Sequence, residues 1–119
     1  MANEITVSMS LSAVKGTLSE KKKVSAATFD MTGTDYVHGT MQVTDSNVAI
    51  PLGSVGTPGW SCMTNNHASG VITIKHATSG SSLVKLEPGE SAVFRIASAA
   101  PSAISTVNPS ELDYFIVED

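Results

Sequence analysis

Residues 4–14 carry the cleanest alternation in the chain. Ile5, Val7, Met9, Leu11 and Ala13 are apolar, and Glu4, Thr6, Ser8, Ser10 and Ser12 between them are polar. A strict period of two predicts a strand with one face toward a core and the other toward water. Lys15-Gly16-Thr17 can turn the chain, and residues 17–30 read as a second strand that forms a long hairpin with the first. Its apolar positions, Leu18, Val24, Ala26 and Phe29, change parity between Ala26 and Phe29, which predicts a bulge there.

The pattern continues through short segments. Residues 36–43 place Val37, Gly39, Met41 and Val43 on one side, and Gly39 there predicts a close crossing by another side chain. Val48, Ile50 and Leu52 form a fourth strand, and Pro51 puts it at an edge or an end. A Gly-rich corner at 53–59 leads into a fifth strand at 60–64. A sixth follows at 71–76, after an Asn-Asn-His-Ala-Ser-Gly turn. Residues 81–96 read as a hairpin, two strands paired around Glu87-Pro88-Gly89-Glu90, where Pro88 presets φ and Gly89 can take the positive φ of a type II turn. Residues 98–110 are low in complexity and read as a long loop. The segment 112–117 is apolar on both faces, which implies full burial or cover by another subunit.

Turns about every ten residues between β-rich runs, with no useful helical period, predict an all-β fold. The expected architecture is a single-domain antiparallel β-sandwich, jelly roll or barrel of about eight to nine short strands over residues 1–119. Length agrees, since 119 residues suit one domain. A hydrophobic fraction of 41% with only 15% charged residues excludes a disordered chain. The net charge of −4 is against a nucleic-acid partner. The only basic run, Lys21-Lys22-Lys23, reads as a solvated edge guard, or as a contact for an acidic partner surface or nucleic acid. Neither a signal peptide nor a membrane-spanning stretch is visible, so no membrane partner is expected.

Candidate chemistry adds little. Cys62 is the single cysteine and reads as a small buried apolar group. The Pro-Gly turn before an alternating strand resembles cupins, but His38, His67 and His76 have no metal-ligand spacing. Phosphate loops and nucleophile elbows are missing as well. No catalytic residue, metal site or cofactor is therefore expected, and the chain does not read as an enzyme. The candidate contact residues are Trp60, Tyr36, Lys21, Lys22 and Lys23. Trp60, just after the corner, reads as a core or rim anchor, with a sugar-stacking platform as the alternative.

Four stretches also carry a resemblance. They are the opening Met1-Ala2-Asn3-Glu4-Ile5-Thr6-Val7 run and its strand to Gly16, the corner from Leu52 to Trp60, Lys85-Leu86-Glu87-Pro88-Gly89-Glu90, and the closing strand from Glu111 to Asp119. In these the chain resembles a family of small virion structural proteins of tailed bacteriophages, of a type common in aquatic phages. The resemblance implies a non-enzymatic virion component made in the host cytoplasm. A capsid decoration (cement) protein is the first expectation, bound to the major capsid protein as a homo-oligomer, with a trimer favoured. A tail, tail-tip or fibre component, whose partners would be tail proteins, is the alternative. A carbohydrate-binding module using Trp60 and Tyr36 is the reading from another class.

Overall fold

The computed structural model describes residues 3–78, 80–97 and 100–119. It is all-β, with ten antiparallel strands: β1 (Ile5–Lys15), β2 (Leu18–Phe29), β3 (Tyr36–Val43), β4 (Val48–Ala49), β5 (Pro58–Asn65), β6 (Ile72–Lys75), β7 (Ser82–Leu86), β8 (Ser91–Arg95), β9 (Ser102–Ser105) and β10 (Ser110–Glu118). They fall into two compact units, one up to Thr32 and one from Gly33 to Asp119.

The first unit is the expected hairpin, β1 paired with β2 from Ile5↔Phe29 to Lys15↔Leu18. Gly16 sits at the tip with φ +59. Positive φ at the first of two central residues is what a type II′ turn requires, and such a turn matches the strand twist. The bulge lies slightly earlier than the parity of the sequence predicts. Val7 pairs with Ala27 and Met9 with Val24, so Ser25 and Ala26 together face Ser8. Ala26 takes φ +49, and its N–H donates to Ser8 Oγ at 3.0 Å. Through the bulge the apolar stripe of β2 stays on one face, running through Leu18, Val24, Ala27 and Phe29.

The second unit is a sandwich of two four-stranded sheets, ordered β3-β10-β5-β8 and β4-β9-β6-β7. The order has a simple origin. Its first strand, β3, pairs with the last, β10, and β4 pairs with the next to last, β9. The β5–β8 and β6–β7 pairs continue inward, so the chain is a long antiparallel ribbon rolled on itself. The β5–β10 and β6–β9 pairs then join the coils into sheets. Two sheets of four strands wound this way form a jelly roll.

Between the sheets lies one core of buried side chains, including Met41, Val43, Met63, Ile72, Ile74, Leu86, Leu112 and Ile116. The Gly-rich corner is part of it, because Val55 is buried in this cluster. Gly39 has the expected neighbour. It pairs with Tyr114, and a Cβ at Gly39 would lie 3.8 Å from the Tyr114 Oη.

Two sequence expectations are corrected. The 81–96 segment does make its turn, with Gly89 at φ +83 and the Glu90 N–H donating to the Glu87 carbonyl at 3.0 Å. Its flanking strands do not pair with each other, however. β7 joins β6 in one sheet and β8 joins β5 in the other, so the turn is a corner between sheets. The low-complexity stretch 98–110 is not a continuous loop. Residues 102–105 are β9, an interior strand between β4 and β6 with Ser102 and Ala103 fully buried. Small side chains fit there because the strand is flanked on both edges and lies over the core. Ser98 and Ala99 of that stretch lie outside the described residues, as do Met1 and Ala2 of the opening motif and Ser79 of the turn before β7.

Candidate interaction face

Alternation along β3 and β10 sends two kinds of residue in opposite directions. Val37, Met41, Leu112, Tyr114 and Ile116 point into the core. The residues between them, Tyr36 and His38 on β3 and Phe115 and Val117 on β10, point outward from the β3-β10-β5-β8 sheet. Register aligns His38, Phe115, Cys62 and Val93 in one row across all four strands. The rings are in contact. Tyr36 meets Phe115 edge-on at 6.3 Å between centroids, and His38 lies 5.1 Å from Phe115 at a tilt. Such edge-to-face geometry suits the ring quadrupoles. Tyr36 is 64% exposed and Phe115 38%, so the aromatic row faces outward although the core beneath it is complete.

Charge borders this row. Asp113 and Glu111 precede Phe115 on the same face of β10, two and four positions earlier. The His38 Nε2 is 4.0 Å from Asp113 Oδ1. At the other end Arg95 pairs with Asp119. Cys62 is half-buried in the row, as a small apolar residue.

Two clamps hold the sheet ends. Glu118, at the end of β10, accepts N–H bonds from Gly56 at 2.9 Å, Thr34 at 3.2 Å and Asp35 at 3.4 Å. These donors, Gly56 first, hold its carboxyl below the usual carboxylate range against a smaller opposing desolvation. The corner before Trp60 is thereby tied to the start of β3. At the opposite end of β5, Asn65 is fully buried. Its Nδ2 donates to the carbonyls of Gly70 at 2.7 Å and Leu86 at 2.9 Å, and its Oδ1 accepts the His67 N–H at 2.9 Å. Its backbone binds both Glu90 and Gly89. One side chain thus fastens the 65–70 turn to the sheet-crossing corner.

Of the candidate contact residues, the structure brings two together. Tyr36 and Trp60 occupy outward positions of the same sheet, on strands separated only by β10. Trp60 is half-buried. The lysines belong to the hairpin unit. Lys21 and Lys23 pair with Ser12 and Ser10 on its polar face, while Lys22 lies opposite Leu11 on its apolar face. Phe115 and His38 were missed by residue type. Their signal was the doubly apolar β10 and the outward register of β3. The three histidines do not converge on a metal. Among the described residues no group of three His, Cys, Asp or Glu is placed to hold one. His67 Nδ1 accepts the N–H groups of Ser69 and Gly70, at 3.1 and 2.7 Å, inside its own turn.

Comparison with protein-family models, curated proteins and solved structures finds no match.

Proposed function

We propose that this chain is a virion structural protein that decorates the head of a tailed bacteriophage. One observation carries the reading. The sandwich has its own finished core yet leaves the row of Tyr36, Phe115 and His38 facing outward, rimmed by Asp113 and Glu111. Leftover apolar surface with a polar rim is a contact surface. The motif resemblance supplies the partner, the major capsid protein. The jelly-roll order is compatible by analogy only, since capsid and lectin domains both use it. Repeated sites on a symmetric shell favour a cyclic oligomer, and a trimer fits local three-fold axes.

Quantitative mass spectrometry of gradient-purified parent virions tests this. A copy number comparable to the major coat protein supports decoration. A small fraction of that number replaces it with a tail component, and absence from virions overturns both. The exposed Tyr36 ring keeps a carbohydrate-binding reading in play. A glycan array with Tyr36→Ala and Trp60→Ala controls decides it, and no signal above those controls ends it.

A further inference from the structure

The carboxylate of Glu118 sits in a seat made by two segments far apart in sequence. One is 33–35, which leads into β3. The other is the Gly-rich corner 53–59, which leads into β5. Oε1 accepts the N–H groups of Thr34 and Asp35, and Oε2 accepts that of Gly56. Glycine lines the seat on both sides. A Cβ at Gly33 would run into Oε1, and one at Gly56 would lie 3.3 Å from Oε2. The register of β10 on β5 shifts between Ile116 and Glu118. A bulge of this kind re-aims a side chain.

Other bonds at these segments do not use the carboxylate. The Glu118 N–H donates to the Asp35 carbonyl and the Asp119 N–H to the Thr57 carbonyl, both at 2.9 Å. Val55 holds the corner in the core. The charged groups at this end are Asp35 on the first segment, Asp119 beside Glu118, and Arg95 of β8, which pairs with Asp119. The 53–59 corner carries none. Backbone N–H donors therefore hold the Glu118 charge, and one group serves both segments. Protonation changes what that group can hold. A neutral carboxyl turns one oxygen into a donor and loses acceptor capacity. The bonds that remain lose their charge assistance, which leaves them about half as strong.

We propose that the Glu118 carboxylate is a latch that keeps 33–35 and the 53–59 corner closed as one unit, and that its protonation opens both together while the sandwich core stays folded. The three donors stabilise the charged form. The latch is therefore shut at neutral pH and opens only as pH falls below the usual carboxylate range. Opening is local, because the backbone bonds to Asp35 and Thr57 and the buried Val55 remain. The two segments lead directly into the strands that carry Tyr36 and Trp60, so the latch sets how firmly that end of the outward face is held. Control of binding through the latch rests on the proposed contact role of the face, whereas the latch itself does not.

The test is a pH titration of the full-length chain followed by amide NMR. The Thr34, Asp35 and Gly56 amides should shift with one midpoint, shared with the Glu118 carboxyl carbon, and their protection factors against hydrogen exchange should fall with it. The Ile72 and Ile74 amides of the central β6 should keep theirs. At neutral pH, Glu118→Gln should lower protection at the three amides by about tenfold or more, the least expected from losing a charge-assisted bond. Gly33→Ala should do the same by pushing the carboxylate aside, and a loss at Gly56 in that variant is the mark of coupling. Asp35→Asn should leave the midpoint in place. Three separate midpoints, a midpoint that follows Asp35 or Asp119, loss of protection only together with the β6 amides, or a Gly56 amide indifferent to Gly33→Ala would each overturn the latch. Failure of the decoration reading would instead show as absence from virions, with these titrations unchanged.

Discussion

Replacing Asn65 by alanine removes the clamp between two corners without adding a clash. The native side chain makes three hydrogen bonds at a fully buried position. Truncation strands the carbonyls of Gly70 and Leu86, both at buried residues, whereas the N–H of half-buried His67 is nearer to water. A stranded buried polar group costs roughly 1–3 kcal/mol. Two of them, shared within one network, give an expected loss of about 3–5 kcal/mol, a large part of the ~5–15 kcal/mol that holds a domain folded. Urea denaturation at fixed protein concentration measures it, as a lowered midpoint with an unchanged slope. Asn65→Asp makes the argument sharper. It keeps the acceptor for His67 but loses both donors and puts a carboxylate against two carbonyl oxygens. That burial raises its folded pKa, so the penalty is full at neutral pH and shrinks as pH falls through the raised value. A loss under about 1 kcal/mol for Asn65→Ala, or no pH dependence of the difference between the two variants, would refute the reasoning.

Gly89→Val should destabilise by about 1–3 kcal/mol, from backbone strain at φ +83 alone, because a Cβ there meets nothing within 4 Å; an unchanged unfolding midpoint is the contrary result. Gly39→Ala should be neutral or stabilise by up to ~1 kcal/mol, since its Cβ would make ordinary contact with Tyr114 and the chain loses a flexible strand residue; a clear loss would show that the Tyr114 ring cannot accept the methyl group. Glu118 has a depressed folded pKa, so its contribution is present above the unfolded carboxylate value of about 4.3 and is lost as pH falls through the folded value. Glu118→Gln should therefore flatten the acid limb of the stability–pH curve, which acid titration of the melting temperature reads directly. Gly33→Ala would drive a Cβ into the Glu118 carboxylate, so Gly33→Ala and Glu118→Gln should cost less together than their separate effects imply. Additive melts would mean that the two residues act independently.

Much of the fold was legible because alternation is local. The expected bounds of β3 are those observed, and the long hairpin and its tip follow from β1 and Gly16. β9 was not legible. Ser102, Ala103, Ile104 and Ser105 contain one large apolar residue, and their burial comes from neighbours distant in sequence. The same holds at the 87–90 corner. Pro-Gly chemistry fixes that the chain turns, but which strand each arm joins is decided by β5 and β6. For the interaction face, residue type pointed to Tyr36 and Trp60. Phe115 and His38 needed the register of β10 against β3, which no local pattern contains.

The rolled ribbon has a consequence for synthesis. β10 lies between β3 and β5, so both of those strands keep an open edge until it arrives. It also follows every other strand of the sandwich along the chain, so it is made after them. While the chain is nascent, the sheet that carries the aromatic face is split down its middle, with hydrogen-bonding edges exposed on each side. Closure of the sandwich must therefore wait until β10 has emerged, and the interval before it does is when neighbouring nascent chains could pair wrongly.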